Sequence, residues 1–249
     1  MSINLLVAPD FSPEHYSGWH LLNTVLQRRT GLAMRLWMPA SSSEQAQLIA
    51  EGKADLVYAN PFDASALIRD AGYLAVARPR DSSNEIVMAT GAESPLDQVE
   101  NLPAGLRVAL TDNRDVKLIS LRLLEIADLG SEDIVWQVVE SHQAAARQVI
   151  RGEADACFLL ASLYHSLSRL TLAQLKPLVE SRLGDVTHVL LASPALGDSV
   201  EALQSAITEL SASPDGQRVL DELGIPKGFD RMTQDEGEFM VDLMETLRD

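Results

Sequence analysis

The chain has 249 residues, with 20 Lys+Arg against 36 Asp+Glu and a formal net charge of −16 at pH 7. Hydrophobic residues make up 46% and charged residues 22%, the balance of a globular chain and not of a disordered or fibrous one. Such acidity excludes the nucleic-acid backbone and anionic lipid surfaces as partners, although a local pocket can oppose the global field and hold a small anion.

Met1-Ser2-Ile3-Asn4 leads straight into the apolar Leu5-Leu6-Val7-Ala8, without a basic segment or a small-residue cleavage site. A cytoplasmic protein is therefore expected, or a periplasmic one if a signal peptide has been removed. No apolar run approaches the ~18–20 residues of a membrane span, so no membrane insertion is expected. Short β-branched runs predict strands at 3–8, 33–38, 55–59, 74–78, 85–90, 107–110, 134–138, 156–160 and 187–192. Helices fill the gaps. The first is predicted over about 15–29, stopping at Gly31, and the second starts in Ser41-Ser42-Ser43-Glu44, a hydroxyl cap with an acid in the first turn. Others are predicted at about 115–126, 143–151, 200–210, 214–223 and 234–247. The alternation predicts an α/β fold with mostly parallel sheets flanked by helices.

One segment occurs twice. Ala46-Gln47-Leu48-Ile49-Ala50-Glu51-Gly52-Lys53-Ala54-Asp55 matches Ala146-Arg147-Gln148-Val149-Ile150-Arg151-Gly152-Glu153-Ala154-Asp155 in type and spacing, and each copy precedes an apolar strand. Upstream of each helix stands a hydroxyl-bearing loop, Ser41–Ser43 in one copy and Ser141-His142 in the other. Two lobes of similar construction with a ligand cleft between them are expected. In parallel sheets ligands bind beyond the carboxyl ends of strands, where helix N-termini present free N–H groups. The loops to inspect are thus 9–16, 39–43, 60–63, 111–117, 140–143 and 161–165, which carry mostly neutral hydrogen-bonding side chains. Asp55 and Asp155 follow the helix stops and are expected to tie their turns. Cys157 stands alone in an apolar run, which points to a buried thiol and precludes an intrachain disulfide. The histidines are scattered without metal-ligand spacing, so no metal and no cofactor are expected.

Gly52-Lys53-Ala54-Asp55-Leu56-Val57-Tyr58-Ala59-Asn60-Pro61, then Ala71-Gly72-Tyr73-Leu74-Ala75-Val76-Ala77-Arg78-Pro79, resembles the phosphate/phosphite/phosphonate substrate-binding proteins of ABC importers. So do Glu140-Ser141-His142-Gln143 ahead of Gly152-Glu153-Ala154-Asp155-Ala156, and the tail from Pro214 through Leu223-Gly224-Ile225 to Gly228-Phe229. The resemblance implies a two-lobed type II periplasmic-binding-protein fold that closes on its ligand, with lobe 1 over 1–78 plus 186–249 and lobe 2 over 79–185. It also implies an anion-gripping turn at Leu110-Thr111-Asp112-Asn113-Arg114-Asp115, where Thr111 and Asn113 can donate. Asp112 and Asp115 oppose a dianion there, by about 3–4 kcal/mol at ~4–5 Å and an effective dielectric of about 20. His142, Tyr58 and Asn60 match family positions near the ligand. Ser41 and Ser42 at a helix start, and Tyr16 with Ser12 ahead of it, are further candidates for ligand contact.

The expected function is that of a small-molecule binding protein, for an oxyanion such as phosphate or a phosphonate, acting as sensor or carrier by cleft closure. The sequence shows no nucleophile elbow, phosphate loop or dinucleotide fingerprint. Two alternatives stay open. One is a cytosolic enzyme on the same fold, of the menaquinone-pathway or thiamin-pyrimidine type, with His142 as the general base. The other is a regulatory module docking a partner through the acidic C-terminal helix.

Overall fold

The computed structural model describes residues 2–9, 11, 13–184 and 186–247, and the candidate Ser12 lies outside them. In chain order the elements are β1 (Ser2–Val7), α1 (Tyr16–Thr30), β2 (Ala33–Trp37), α2 (Ser42–Ala50), β3 (Leu56–Ala59), α3 (Pro61–Ala71) and β4 (Leu74–Pro79). They continue with β5 (Ile86–Gly91), β6 (Leu106–Thr111), α4 (Arg114–Leu124), β7 (Ile134–Val139), α5 (His142–Ile150), β8 (Ala156–Leu160), α6 (Ala161–Ser166), α7 (Arg169–Leu172) and β9 (Leu175–Glu180). The chain ends with β10 (Val189–Ala192), α8 (Ser199–Thr208), α9 (Pro214–Glu222), β11 (Phe229–Arg231) and α10 (Gln234–Thr246). No helix among the described residues is long and apolar enough to cross a membrane.

The chain divides into two compact units, Met1–Ser82 with Thr187–Glu245, and Ser83–Val186 with Thr246–Asp249. Unit 1 is built on a six-stranded sheet of order β11-β4-β10-β3-β1-β2, and unit 2 on a five-stranded sheet of order β7-β6-β8-β5-β9. Both sheets are mixed, where mostly parallel pairing was expected. The parallel sets are β2-β1-β3 and β7-β6-β8, whereas β10 runs antiparallel to β3 and β4, β5 antiparallel to β8 and β9, and β11 antiparallel to β4. The reason is topological: β5 and β10 follow directly on segments that cross from one unit to the other, so no helical crossover returns them parallel. Two strands were missed from sequence, β9 and β11. Pro177 sits inside β9, an edge strand, where a missing N–H is tolerated. The loops expected at 60–63 and 161–165 are the first turns of α3 and α6.

The repeated segment folds the same way twice. Ser41 and Ser141 cap α2 and α5 with near-identical backbone angles, accepting from the N–H of Glu44 at 3.2 Å and of Ala144 at 3.1 Å. Gly52 and Gly152 then take φ of +72° and +71°, a left-handed turn that side-chain-bearing residues disfavour. Each aspartate ties its strand to the neighbouring parallel one. Asp55 accepts from the N–H of Asn4 at 2.7 Å and from its side-chain amide at 2.8 Å. Asp155 accepts from the N–H of Arg107 at 2.9 Å and pairs with its guanidinium at 2.6 Å. The Arg107 hydrogen bonds outweigh partial burial and hold the Asp155 carboxyl below its ordinary value.

Apolar cores cover both faces of each sheet. In unit 1, Trp19, Leu22 and Leu26 of α1 pack with Leu5, Val7 and Tyr58 on one face, while Val57, Leu67 and Met240 lie in the cluster on the other. Gly18 of α1 lies against the end of α9, so close that a Cβ would stand 2.6 Å from the backbone of Glu222. In unit 2, Phe158, Val116 and Ile119 fill one face and Cys157, Ala145 and Val149 the other. Burial pushes the Cys157 thiol up to about 12, which makes it an inert core group.

Candidate functional site

Strand direction gathers the polar candidates of each unit on one sheet edge. In unit 1, β1, β2 and β3 are mutually parallel, so their carboxyl ends lie together and lead into α1, α2 and α3. The antiparallel β10 pairs Val189 with Ala59, which brings the segment before it, Thr187-His188, to the same edge. In unit 2, β6, β7 and β8 end together and lead into α4, α5 and α6. The pairs Ile86–Leu160 and Val87–Glu180 add the start of β5 and the end of β9 to that edge.

On the unit 1 edge, Tyr16 is the first residue of α1 and 44% exposed. Ser41 is exposed and caps α2, and Ser42 is the first residue of that helix, half-buried. Asn60 is buried and caps α3, its side-chain oxygen accepting from the N–H of Asp63 at 2.9 Å while Pro61 fills the first helical position. Tyr58, at 8% exposure, is buried and sandwiched between Trp19 (ring centroids 4.7 Å apart) and His188 (5.3 Å, interplanar angle 20°). Thr187 is buried, and its hydroxyl finds no hydrogen-bond partner among the described residues.

On the unit 2 edge, Thr111 ends β6 and Asn113 caps α4 with its side-chain oxygen, accepting from the N–H of Val116 at 3.1 Å. The Thr111 hydroxyl is enclosed, and it too has no partner among the described residues. His142 opens α5 directly after the Ser141 cap and is half-buried. The two acids of the expected anion-gripping turn separate. Asp112 is exposed, whereas Asp115 is wholly buried in the first turn of α4, where the helix dipole favours a carboxylate. Lys117 lies over the Trp136 ring at 5.1 Å, so its charge is used on β7. At the β5 end, Glu85 accepts from the Ser181 hydroxyl and from the N–H groups of Leu183 at 3.0 Å and Gly184 at 2.8 Å. Burial would raise this carboxyl, but the hydrogen bonds from Ser181, Gly184, Leu183 and Ser83 prevail and hold it below its ordinary value.

The sequence pointed to the starts of α1, α2, α4 and α5, but it read those of α3 and α6 as loops and did not single out Thr187, His188 or the Glu85 knot. These join the edges only through antiparallel pairing of β10 and β5, which no local pattern displays. A cavity of about 760 Å³ opens at the opposite edge of the unit 2 sheet, around Gly91, Glu93, Leu96, Pro103, Gly105 and Asp155. Its lining includes no basic side chain and two acids, a poor setting for an anion. Among the described residues no group of three His, Cys, Asp or Glu side chains stands close enough to hold a metal ion.

The fold is shared with solved binding proteins. The structure of PhnD1 from Prochlorococcus marinus, in complex with methylphosphonate, superposes with a TM-score of 0.83 at 14% identity, covering 99% of this chain and 98% of that one. A Xanthomonas citri protein bound to ATP gives 0.80 at 14% identity over 100% and 98% of the two chains. A binding protein component of an ABC phosphonate transporter from Pseudomonas aeruginosa gives 0.75 at 15% identity over 98% and 86%. A search of curated proteins found no match to the sequence. The family model of the ABC transporter, phosphonate, periplasmic substrate-binding protein matches residues 5–236, nearly the whole chain. This is a family of transport substrate-binding proteins and not of enzymes, and the chain belongs to it.

Proposed function

We propose that the chain captures a small phosphorus oxyanion, a phosphonate or phosphate, and carries it for an ABC importer. The observation that carries this is the Thr111 hydroxyl, enclosed and without a partner among the described residues at the edge where α4 and α5 begin. Buried hydroxyls are almost always hydrogen-bonded, and an exception calls for a ligand or a function. The starts of α4 and α5 add a helix dipole favourable to an anion. Thr111, Asn113 and His142 are the proposed contacts in unit 2. Tyr16, Ser41, Ser42, Tyr58, Asn60 and the neighbouring Thr187 form the proposed set in unit 1. The proposed working compartment is the periplasm, the setting of the family.

Isothermal titration with phosphate, methylphosphonate and sulfate tests the proposal. At least one phosphorus oxyanion should bind at one site per chain, and more weakly after Thr111→Val. Absence of heat with every phosphorus oxyanion at millimolar concentration would contradict it.

A further inference from the structure

We infer that the cavity at the far edge of the unit 2 sheet is a second binding site, for a small organic cation with an apolar body and an ammonium group. The site lies wholly within unit 2 and is separate from the one proposed for the oxyanion.

Its size and walls suit an organic molecule. About 760 Å³ falls within the roughly 300–1,000 Å³ of small-molecule pockets. Gly91 closes β5, Leu106 opens β6, Asp155 immediately precedes β8, and Val149 and Ile150 are the last two residues of α5. Leu96, Pro103, Leu106, Val149 and Ile150 make the lining mainly apolar. Leu106 belongs to the core cluster on one face of the sheet and Val149 to that on the other, both buried. The cavity floor is thus anchored in the core, as in a preformed pocket.

Charge selects what enters. Of the two lining acids, Asp155 is spent on Arg107 at 2.6 Å. Glu93 is exposed, on the turn that the Ser94 N–H closes by donating to the Gly91 carbonyl at 2.9 Å. Its carboxylate has no hydrogen bond or ion pair among the described residues. The basic side chains nearby are engaged or stand outside the lining. Arg107 donates to Asp155 and to the carbonyls of Glu153 at 2.8 Å and Gly152 at 3.1 Å. Lys176 donates to the Ser94 carbonyl at 2.9 Å, and Arg147 and Arg151 are exposed and line no part of the cavity. The end of α5 adds the negative pole of its dipole. An anion would meet that pole and the Glu93 carboxylate, and a neutral molecule would leave both unused. A cation uses both.

The test follows backbone amide shifts of isotope-labelled protein with phenethylamine and phenethyl alcohol, which share ring and chain and differ by ammonium against hydroxyl. Each is titrated to about 10 mM, the range in which molecules of this size bind. The amine should give saturable shifts at Gly91, Gly105 and Gly152 and bind about threefold tighter than the alcohol, the scale of one exposed ion pair. Glu93→Gln should make the two compounds equal. Ala104→Trp, at an exposed lining position, should fill the cavity and remove the shifts from both while the rest of the spectrum stays that of the folded chain. No saturable shift at those glycines with the amine, or shifts that persist in folded Ala104→Trp, would overturn the inference. So would an alcohol that binds as tightly as the amine, or a preference for the amine that survives Glu93→Gln. The oxyanion proposal stands or falls separately, by titration with phosphorus oxyanions.

Discussion

Replacing Thr111 with valine separates a structural role from a binding role, because the two predict opposite signs. Valine keeps the shape of threonine and removes one hydroxyl. That hydroxyl is enclosed and has no hydrogen-bond partner among the described residues. An unsatisfied buried hydroxyl costs about 1–3 kcal/mol, so Thr111→Val should leave stability unchanged or raise it by up to about 1 kcal/mol. Binding should move the other way. A hydrogen bond to a charged oxygen contributes about 1.5–3 kcal/mol, which corresponds to a loss of roughly 10- to 150-fold in affinity for the oxyanion. Urea unfolding gives the first quantity and isothermal titration the second. A variant less stable by more than about 1 kcal/mol, with affinity intact, would refute the reasoning and make Thr111 a packing residue.

Asp112→Asn should tighten anion binding only a few-fold at low salt, with the gain fading as salt rises. Asp112 is exposed, so solvent screening brings the repulsion down to about 1 kcal/mol, well below the figure for a half-buried pair; titrations at two ionic strengths check this. Gly18→Ala should destabilise unit 1 by about 2–4 kcal/mol. In an open helix the same change would stabilise by roughly 1 kcal/mol, but here a Cβ would meet the Glu222 backbone at 2.6 Å; a raised melting temperature would be the contrary result. Glu85 and Asp155 are both held below their ordinary values in the folded chain. Their stabilisation is complete above the unfolded carboxylate range near about 4 and is lost as pH falls through the lowered folded values. Urea midpoints should therefore drop on acidification, and Glu85→Gln should flatten that drop. An unchanged slope would show that Glu85 contributes nothing to it.

Local chemistry made much of the fold legible in the sequence. Serine caps and left-handed glycines recur one hundred residues apart because each is a short-range device, written in a few consecutive residues. The aspartates recur too, but where they were expected to tie their own turns each holds a residue 51 or 48 positions away on the neighbouring strand. The helix starts at Ser41, Asn113 and Ser141 were readable for the same reason, and they carry most of the candidate site. Pairing direction was not readable, because β5 and β10 are apolar runs like any parallel strand. With it went the placement of Thr187, His188 and Glu85, and the contact of Tyr58 with His188. The weight given to Asp112 and Asp115 also depended on burial, which spacing does not reveal: one faces water and the other is enclosed in the first turn of α4.

The central claim is that an oxyanion is held at the edge where α4 and α5 begin. Its most direct test follows backbone amide shifts of isotope-labelled protein during titration with methylphosphonate. The largest saturable shifts in unit 2 are predicted at Thr111–Val116 and Ser141–Ala144, whose N–H groups stand at the two helix starts. Shifts confined to Gly91, Gly105 and Gly152, around the cavity at the opposite sheet edge, would contradict the account and move the ligand there.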